Sequence, residues 1–187
     1  MTTVTQSPLR RRMTMATFLA RPAHAGQVDE LLDGVLVVSP SANESHGALC
    51  MELAAQLHRQ CKARGLGRVY GSPLTAVLDA HNAPQPDLCV IVADRAHIVQ
   101  DGYPRAAPDL VIEVLSPATR RIDCGAKKRL YERAGVREYW IVAQEAEGTI
   151  VFYDEDEDEF GLAQLTRRGT RETTGVRGEL VDVFMAR

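Results

Sequence analysis

The chain has 187 residues, 45% of them hydrophobic and 25% charged, a composition typical of one globular domain. Its longest apolar runs fall far short of the roughly 20 residues that a membrane-spanning helix needs, so we expect a cytoplasmic protein. The net charge is −3, but a tract of six consecutive acids, Asp154 to Glu159, decides that sign. We interpret the tract as a solvated loop or hairpin tip, so the negative net charge does not exclude a nucleic-acid partner.

Several common chemical motifs are missing from the sequence. There is no Gly-rich phosphate loop, serine nucleophile elbow or H-E-x-x-H helix. The cysteines form no C-x-x-C pair and have no nearby histidine in ligand spacing, which favours reduced thiols over structural zinc. They are Cys50, Cys61, Cys89 and Cys124.

The N-terminal part of the chain contains a hairpin signal. Residues 1–20 are polar and without period, which predicts a poorly ordered lead-in to a single domain over residues 21–187. Asp33-Gly34 then separates two apolar runs, the strongest short-range signal of a β-hairpin. Ser41 followed by Glu44 resembles a capping box, and an amphipathic helix is predicted from there to about Lys62.

The remaining sequence alternates strand and helix patterns. Pro and Gly punctuate it, and the C-terminal third adds short apolar pieces typical of peripheral strands. Extended segments are predicted at 68–70, 74–79, 87–92, 109–115, 138–143 and 149–153, and a helix at 122–134. This order predicts an α/β fold with a central mixed sheet flanked by helices.

Glu113 breaks the pattern of the most apolar predicted strand. Alternate residues of a strand share a face, so Glu113 lies beside Val111 and Leu115. An ionised glutamate there is costly unless it is paired, hydrogen-bonded or bound to a metal. A buried ion pair is the alternative, but we favour a catalytic or metal-binding role.

Asp87 is the second candidate acid. It follows Pro86 at the start of the preceding buried strand, where a strand-entry or turn role is the alternative. A strand and a loop separate it from Glu113, so the two carboxylates can converge from adjacent strands. Asp109 shares a strand with Glu113 but lies about 13 Å away, which makes it a second choice.

Lys127 lies on the face of the predicted helix that should pack inward. Asp123, Leu130 and Tyr131 fall on the same face at 100° per residue. A lysine stem that reaches water at the helix end is the alternative. Two acids and an inward ammonium suit phosphodiester hydrolysis with Mg²⁺ or Mn²⁺, where Asp87 and Glu113 bind the ion and Lys127 orients water or phosphate.

Two further residues are secondary candidates. His46 lies on the apolar face of the first long helix, where a satisfied core histidine is the simpler interpretation. Glu30, in the hairpin, could supply a further acid, although a surface-facing strand residue is the simpler account.

These residues resemble the signature of the Uma-two family, small bacterial proteins related to restriction endonucleases. The resemblance covers most of the chain, from Glu30 to about Tyr153. It is carried by Pro86-Asp87-Leu88, by Pro108 to Pro117, by Asp123-x-x-x-Lys127-x-x-x-Tyr131 and by Ala134 to Trp140.

The resemblance implies a restriction endonuclease-like core of the PD-(D/E)XK type. In that superfamily the lysine usually stands two residues after the second acid, where this chain has Leu115. In the Uma-two pattern it stands on the following helix, and Lys127 matches that position. The first-helix pattern matches at His46, while Cys124 and Gln144 stand where Arg and Asp are frequent.

We therefore expect a Mg²⁺-dependent DNA endonuclease, with Asp123 and Tyr131 supporting the site. Four basic residues near the site could hold DNA phosphates, and a homodimer would suit two-strand cutting. They are Arg120, Arg121, Lys128 and Arg129. The alternative is a nuclease fold without turnover that binds nucleic acid or protein; a self-associating structural domain is a weaker third.

Overall fold

The structure is a computed structural model that describes residues 12–142 and the backbone of four strand segments beyond them, 150–154, 163–165, 170–173 and 176–179. The first elements are α1 (Met15–Leu19), β1 (Gln27–Leu32), β2 (Val35–Pro40), α2 (Glu44–Arg64) and β3 (Gly67–Gly71). The next are β4 (Leu88–Val92), a 3-10 helix (Ala93–Ile98), β5 (Val99–Gln100), β6 (Tyr103–Pro104) and β7 (Leu110–Val114). The last are α3 (Arg120–Ile122), a π-helical segment (Asp123–Lys127), α4 (Lys128–Arg133), β8 (Glu138–Val142), β9 (Ile150–Asp154), β10 (Ala163–Leu165), β11 (Thr170–Thr173) and β12 (Val176–Glu179).

A mixed sheet of six strands lies at the centre, in the order β10-β9-β8-β7-β4-β3. Its middle strands β7 and β8 are parallel, whereas the other neighbours are antiparallel. Parallel neighbours need a crossover connection, and the helical segment from α3 to α4 supplies it. The predicted α/β fold with a mixed sheet between helices is confirmed.

The two faces of the sheet are covered by different helices. On one face, Leu53 and Leu57 of α2 pack in a buried cluster with Ile112 of β7. On the other face, Tyr131 of α4 packs in a second cluster with Val111 of β7. Because strand residues alternate between faces, Glu113 extends from β7 on the α4 side.

The predicted hairpin is confirmed and lies outside the central sheet. Asp33 and Gly34 have φ angles of 50° and 76°, the positive values that a type I′ turn requires. Leu31 of β1 exchanges backbone hydrogen bonds with Ala83, with N···O distances of 3.2 and 2.8 Å. The hairpin is therefore held against the segment that leads into β4.

The start of α2 differs from the prediction. Asn43, not Ser41, caps the helix, accepting a hydrogen bond from the His46 amide at 3.0 Å. The Ser41 hydroxyl instead donates to the Gly26 carbonyl at 2.7 Å. The capping-box prediction was therefore wrong by two residues, because the hairpin end competes for the serine.

Three other predicted elements differ in extent from those in the structure. Residues 1–11 of the predicted lead-in lie outside the described residues, but residues 15–19 form α1, where Phe18 is buried with Leu31 and Ala83. The predicted strand at 74–79 makes only scattered backbone bonds, to Pro84 and Pro104 among others. The helix predicted at 122–134 begins two residues earlier, at Arg120, and contains the π-helical segment.

Two further expectations concern the acidic tract and the absence of a membrane-spanning helix. Residues 155–159 of the acidic tract lie outside the described residues. Within the described ranges, no helix combines the length and apolar character needed to cross a bilayer.

Candidate active site

Lys127 is the centre of a buried charge cluster. Its side chain is 3% exposed, as the helical-face argument predicted. The Nζ atom lies 2.8 Å from Glu30 Oε1, 3.0 Å from Glu113 Oε1 and 3.6 Å from Asp123 Oδ1. An ammonium among three carboxylates can remain charged without water, because each acid offsets part of its desolvation.

Glu113 is held on one oxygen only. Its Oε1 atom accepts hydrogen bonds from Lys127 Nζ at 3.0 Å and from the Tyr131 hydroxyl at 2.8 Å. Among the described residues, none donates to its Oε2 atom. Two donors thus fix the carboxylate, while one oxygen remains for another partner.

Glu30 reaches the cluster from the hairpin. It is buried, and its Oε1 accepts the backbone amide of Gln85 at 2.8 Å as well as Lys127. The surface-facing interpretation of Glu30 was therefore wrong. The docking of β1 beside Ala83 turns this side chain inward, and strand alternation alone does not reveal that contact.

Asp87 lies at the edge of the sheet, beside the end of β7. Its Oδ2 accepts the Val114 amide at 2.7 Å and contacts His46 Nε2 at 3.2 Å. The pairing of Leu88 with Ile112 brings Asp87 next to Glu113 in register. The two acids therefore lie side by side on adjacent strands, and the binding of one ion by both carboxylates stays a prediction.

Asp123 adds a fourth carboxyl group. It is 1% exposed, and its Oδ1 atom has no hydrogen-bond partner among the described residues. The π-helical segment brings both Asp123 and Lys127 to the buried side, and such segments often occur at functional sites. A buried acceptor without a donor is unfavourable, and the nearby Lys127 ammonium, 3.6 Å away, offsets part of that cost.

The electrostatic environment agrees with a cation site. Burial raises the pKa of Glu113 well above its usual range, and neighbouring acids add to the shift. Burial likewise raises the pKa of Asp123. For Lys127, burial acts to lower the pKa, but Glu113, Glu30 and Asp123 outweigh it and raise the pKa. The ammonium is thus kept, while burial raises the pKa of Glu113 and of Asp123 and so favours their neutral forms.

An open cleft of about 1120 Å³ borders this cluster. Its lining includes four acids, and also Lys127 and His46. Carboxylate oxygens are the ligands that Mg²⁺ and Mn²⁺ prefer, so the residues fit such an ion. The four acids are Glu30, Asp87, Glu113 and Asp123.

Asp109 is separate from the cluster. Its buried carboxylate accepts Arg95 Nη1 at 2.6 Å and the Val92 amide at 2.9 Å, and Arg137 lies 3.7 Å away. These contacts fasten the 3-10 helix and β4 to the start of β7. The lower rank given to Asp109 as a metal ligand agrees with this structural role.

Cys50 is the residue that the sequence reasoning passed over. Its Sγ atom lies 3.5 Å from His46 Nδ1, and donor atoms of Cys50, His46 and Asp87 lie within 4.8 Å of one another. The statement that no histidine stands in ligand spacing to a cysteine was wrong. The i, i+4 spacing of His46 and Cys50 on a helix is the signal that could have revealed it.

Comparisons with known proteins agree with this architecture. A crystal structure described as "a putative nuclease belonging to DUF820", from Anabaena variabilis ATCC 29413, is similar with a TM-score of 0.74 at 18% sequence identity. The similarity covers 92% of this chain and 98% of the other. It shows that the two chains share a fold.

The sequence itself matches a family over most of its length. A search of curated proteins gave no match. The Uma2 family model, described as "Putative restriction endonuclease", matches residues 15–177. That range contains every residue of the charge cluster described above. The chain therefore belongs to the Uma-two family.

Proposed function

We propose that this protein is a divalent-metal-dependent endonuclease that hydrolyses phosphodiester bonds of DNA. The observation that carries the proposal is the meeting of Asp87, Glu113 and Lys127 in one open cleft. These groups come from separate segments, and two of them are buried charges that packing alone does not require. Membership of a family described as restriction endonucleases supports the same chemistry.

Asp87 and Glu113 are the proposed ligands of Mg²⁺ or Mn²⁺. Each has an oxygen that takes no hydrogen bond from the described residues, while its other oxygen is fixed by two contacts. Bound there, the ion would lower the pKa of a coordinated water and screen the charge of the phosphate. Asp123, with its buried oxygen, and Glu30 would support the negative potential of the site.

Lys127 supplies a positive charge to the proposed site, and Tyr131 fixes the orientation of Glu113. The ammonium keeps its proton because three acids surround it, so it can stabilise negative charge on a phosphate or orient water. Tyr131 donates to Glu113 at 2.8 Å and limits the rotation of that carboxylate. The site is thus assembled before substrate arrives, which lowers the cost of ordering it.

DNA is the proposed substrate because basic residues lie near the site in sequence. Arg120, Arg121 and Arg129 are exposed on the helical segment that carries Lys127. Contacts between arginine and phosphate do not depend on the base sequence of the DNA, and they weaken as salt is added. We therefore expect nicking or cutting at low salt with little dependence on base sequence.

The test is cleavage of supercoiled plasmid by the full chain in Mg²⁺ or Mn²⁺ at low salt. We expect wild-type cleavage, and a decrease of about 100-fold or more for Glu113→Gln and for Asp87→Asn, as for the loss of one preorganised charged group. Glu52→Gln, on the exposed side of α2, is the matched control. Direct linearisation, without accumulation of nicked plasmid, would support the proposed homodimer.

Two results would reject the proposal. Plasmid that stays intact over a wide range of protein concentration in both metals would exclude the activity. Equal cleavage by wild type and Glu113→Gln would assign the activity to a contaminant. DNA retention in a gel that Glu113→Gln leaves unchanged, with no heat of Mn²⁺ binding, would instead support a binding module without turnover.

A further inference from the structure

We propose a second cation site in the same cleft, formed by His46, Cys50 and Asp87, that binds a soft divalent ion of the zinc class. The donor set is one imidazole nitrogen, one thiolate sulfur and one carboxylate oxygen. Mg²⁺ avoids sulfur, whereas Zn²⁺ binds all three donor types. The donor set therefore differs in chemistry from the acid cluster around Lys127, although Asp87 belongs to both.

The spacing of two of the three donors, the Nδ1 atom of His46 and the Sγ atom of Cys50, fits a tetrahedral ion. With metal–nitrogen and metal–sulfur bonds of about 2.0 and 2.3 Å, a tetrahedral ion holds those donors about 3.5 Å apart. His46 Nδ1 and Cys50 Sγ are 3.5 Å apart. The third donor, Asp87 Oδ2, lies 3.2 Å from the other ring nitrogen of His46, so the ion takes one ring nitrogen and the imidazole or the carboxylate turns to meet it.

The fold brings the three residues together before any ion binds, and rotation of one side chain then completes the site. His46 and Cys50 are one turn apart on α2 and therefore share a face. The amide of Val114 anchors Asp87 beside them at 2.7 Å. All three residues line the open cleft, so an ion can enter, and three protein ligands leave a fourth position for water, as in zinc sites that react with substrates.

Binding exchanges protons for the metal. In the structure as described, His46 bridges Cys50 and Asp87 by hydrogen bonds. When Zn²⁺ forms bonds to sulfur and nitrogen, the thiol proton and any proton on the coordinating nitrogen leave to solvent. No electron is transferred, and the ion keeps its oxidation state.

The same three residues do not make a good nucleophilic triad. Burial raises the pKa of the Cys50 thiol, and the thiolate is the nucleophilic form. The Nε2 atom of His46 is hydrogen-bonded to Asp87 Oδ2, and the same oxygen also accepts a hydrogen bond from the Val114 amide. Metal binding, which stabilises the thiolate directly, is the use that this geometry supports.

Cobalt replaces zinc in the proposed test, because its spectrum reports the ligands. Chelator-treated full-length protein is titrated with Co²⁺ without nucleic acid. We expect one thiolate-bound ion per chain, seen as a sulfur-to-cobalt charge-transfer band that excess Zn²⁺ removes and excess Mg²⁺ leaves. Cys50→Ser should lose the band, and His46→Ala should weaken binding at least about tenfold.

The controls separate this site from the other cysteines and from the acid cluster. Cys124→Ser changes an exposed cysteine and should keep the band. Glu113→Gln should also keep it. The proposal is overturned if wild type lacks the band, if Cys50→Ser retains it, or if Glu113→Gln abolishes it.

A second measurement needs no variant and covers the case in which Cys50→Ser fails to fold. Zn²⁺ should slow alkylation of Cys50 by iodoacetamide at least about tenfold and leave Cys124 unchanged, as measured by peptide mass spectrometry. Unchanged alkylation of Cys50 would mean that the three residues form a hydrogen-bonded relay only. The sharing of Asp87 with Mg²⁺ rests on the proposed function. Neither the cobalt band nor the alkylation rate requires DNA cleavage, so the cation site and the endonuclease activity can fail separately.

Discussion

The Nζ atom of Lys127 lies 2.8 Å from Oε1 of Glu30, which joins the segment after β7 to the N-terminal hairpin. The same nitrogen is 3.0 Å from Glu113. One buried ammonium thus links three parts of the fold: the hairpin, the central sheet and the π-helical segment. Removing it should disturb both the stability of the domain and the geometry of the cleft.

Lys127→Met should destabilise the protein by about 3–5 kcal/mol, because the acids around it would be buried without their cation. Urea unfolding followed by circular dichroism measures the change. Lys62→Met, on the exposed part of α2, is the control and should change stability by less than about 0.5 kcal/mol. An equal effect of both substitutions would contradict the buried ion-pair network.

Glu30→Gln should weaken Mn²⁺ binding while preserving the fold. The glutamine side chain keeps an oxygen that can accept a hydrogen bond from the Gln85 backbone amide, but it lacks the negative charge that faces Lys127. We expect a stability loss of about 1–3 kcal/mol, the size of one hydrogen bond to a charged group. Calorimetry with Mn²⁺ measures the affinity, with Glu52→Gln as control. Unchanged affinity would place Glu30 outside the site.

Asp109→Asn should affect stability and leave metal binding intact. The substitution weakens the contact with Arg95, whose side chain is 29% exposed. Because that exposure screens the pair, we expect a loss of about 1–2 kcal/mol rather than the larger cost of a fully buried pair. Mn²⁺ calorimetry should give the wild-type stoichiometry; a lost site would make Asp109 a ligand after all.

Asp29 should make stability depend on acidic pH. Burial acts to raise the pKa of Asp29, but hydrogen bonds from Arg21 and His24 outweigh it and hold the pKa below its usual value. A lowered folded-state pKa stabilises the protein above the unfolded-state pKa of about 3.9, and this contribution is lost as pH falls through the folded-state pKa.

The measurement for Asp29 is a comparison of wild type and Asp29→Asn by urea unfolding at several pH values. The wild type should be more stable at neutral pH, and the difference should shrink below about pH 4. A difference that stays constant into strong acid would mean that Arg21, at 2.8 Å, stabilises Asp29 only by packing.

Local periodicity was enough to place part of the site. The apolar run around Glu113 predicted a buried strand, and the helical period placed Lys127 and Tyr131 on the inward face. Both predictions hold because a strand and a helix fix side-chain directions from neighbours within a few residues. Lys127 stays on that face even though the segment is π-helical at that point.

Contacts between distant segments decided the rest. Glu30 enters the site because β1 docks beside Ala83, and no pattern within the hairpin encodes that docking. His46 meets Asp87 only because α2 packs across the sheet next to the start of β4. The sequence by itself determined which faces of the strand and helix turn inward, since that depends on local backbone geometry. Tertiary packing alone decided which acids share the cleft, because their separation depends on how whole elements dock.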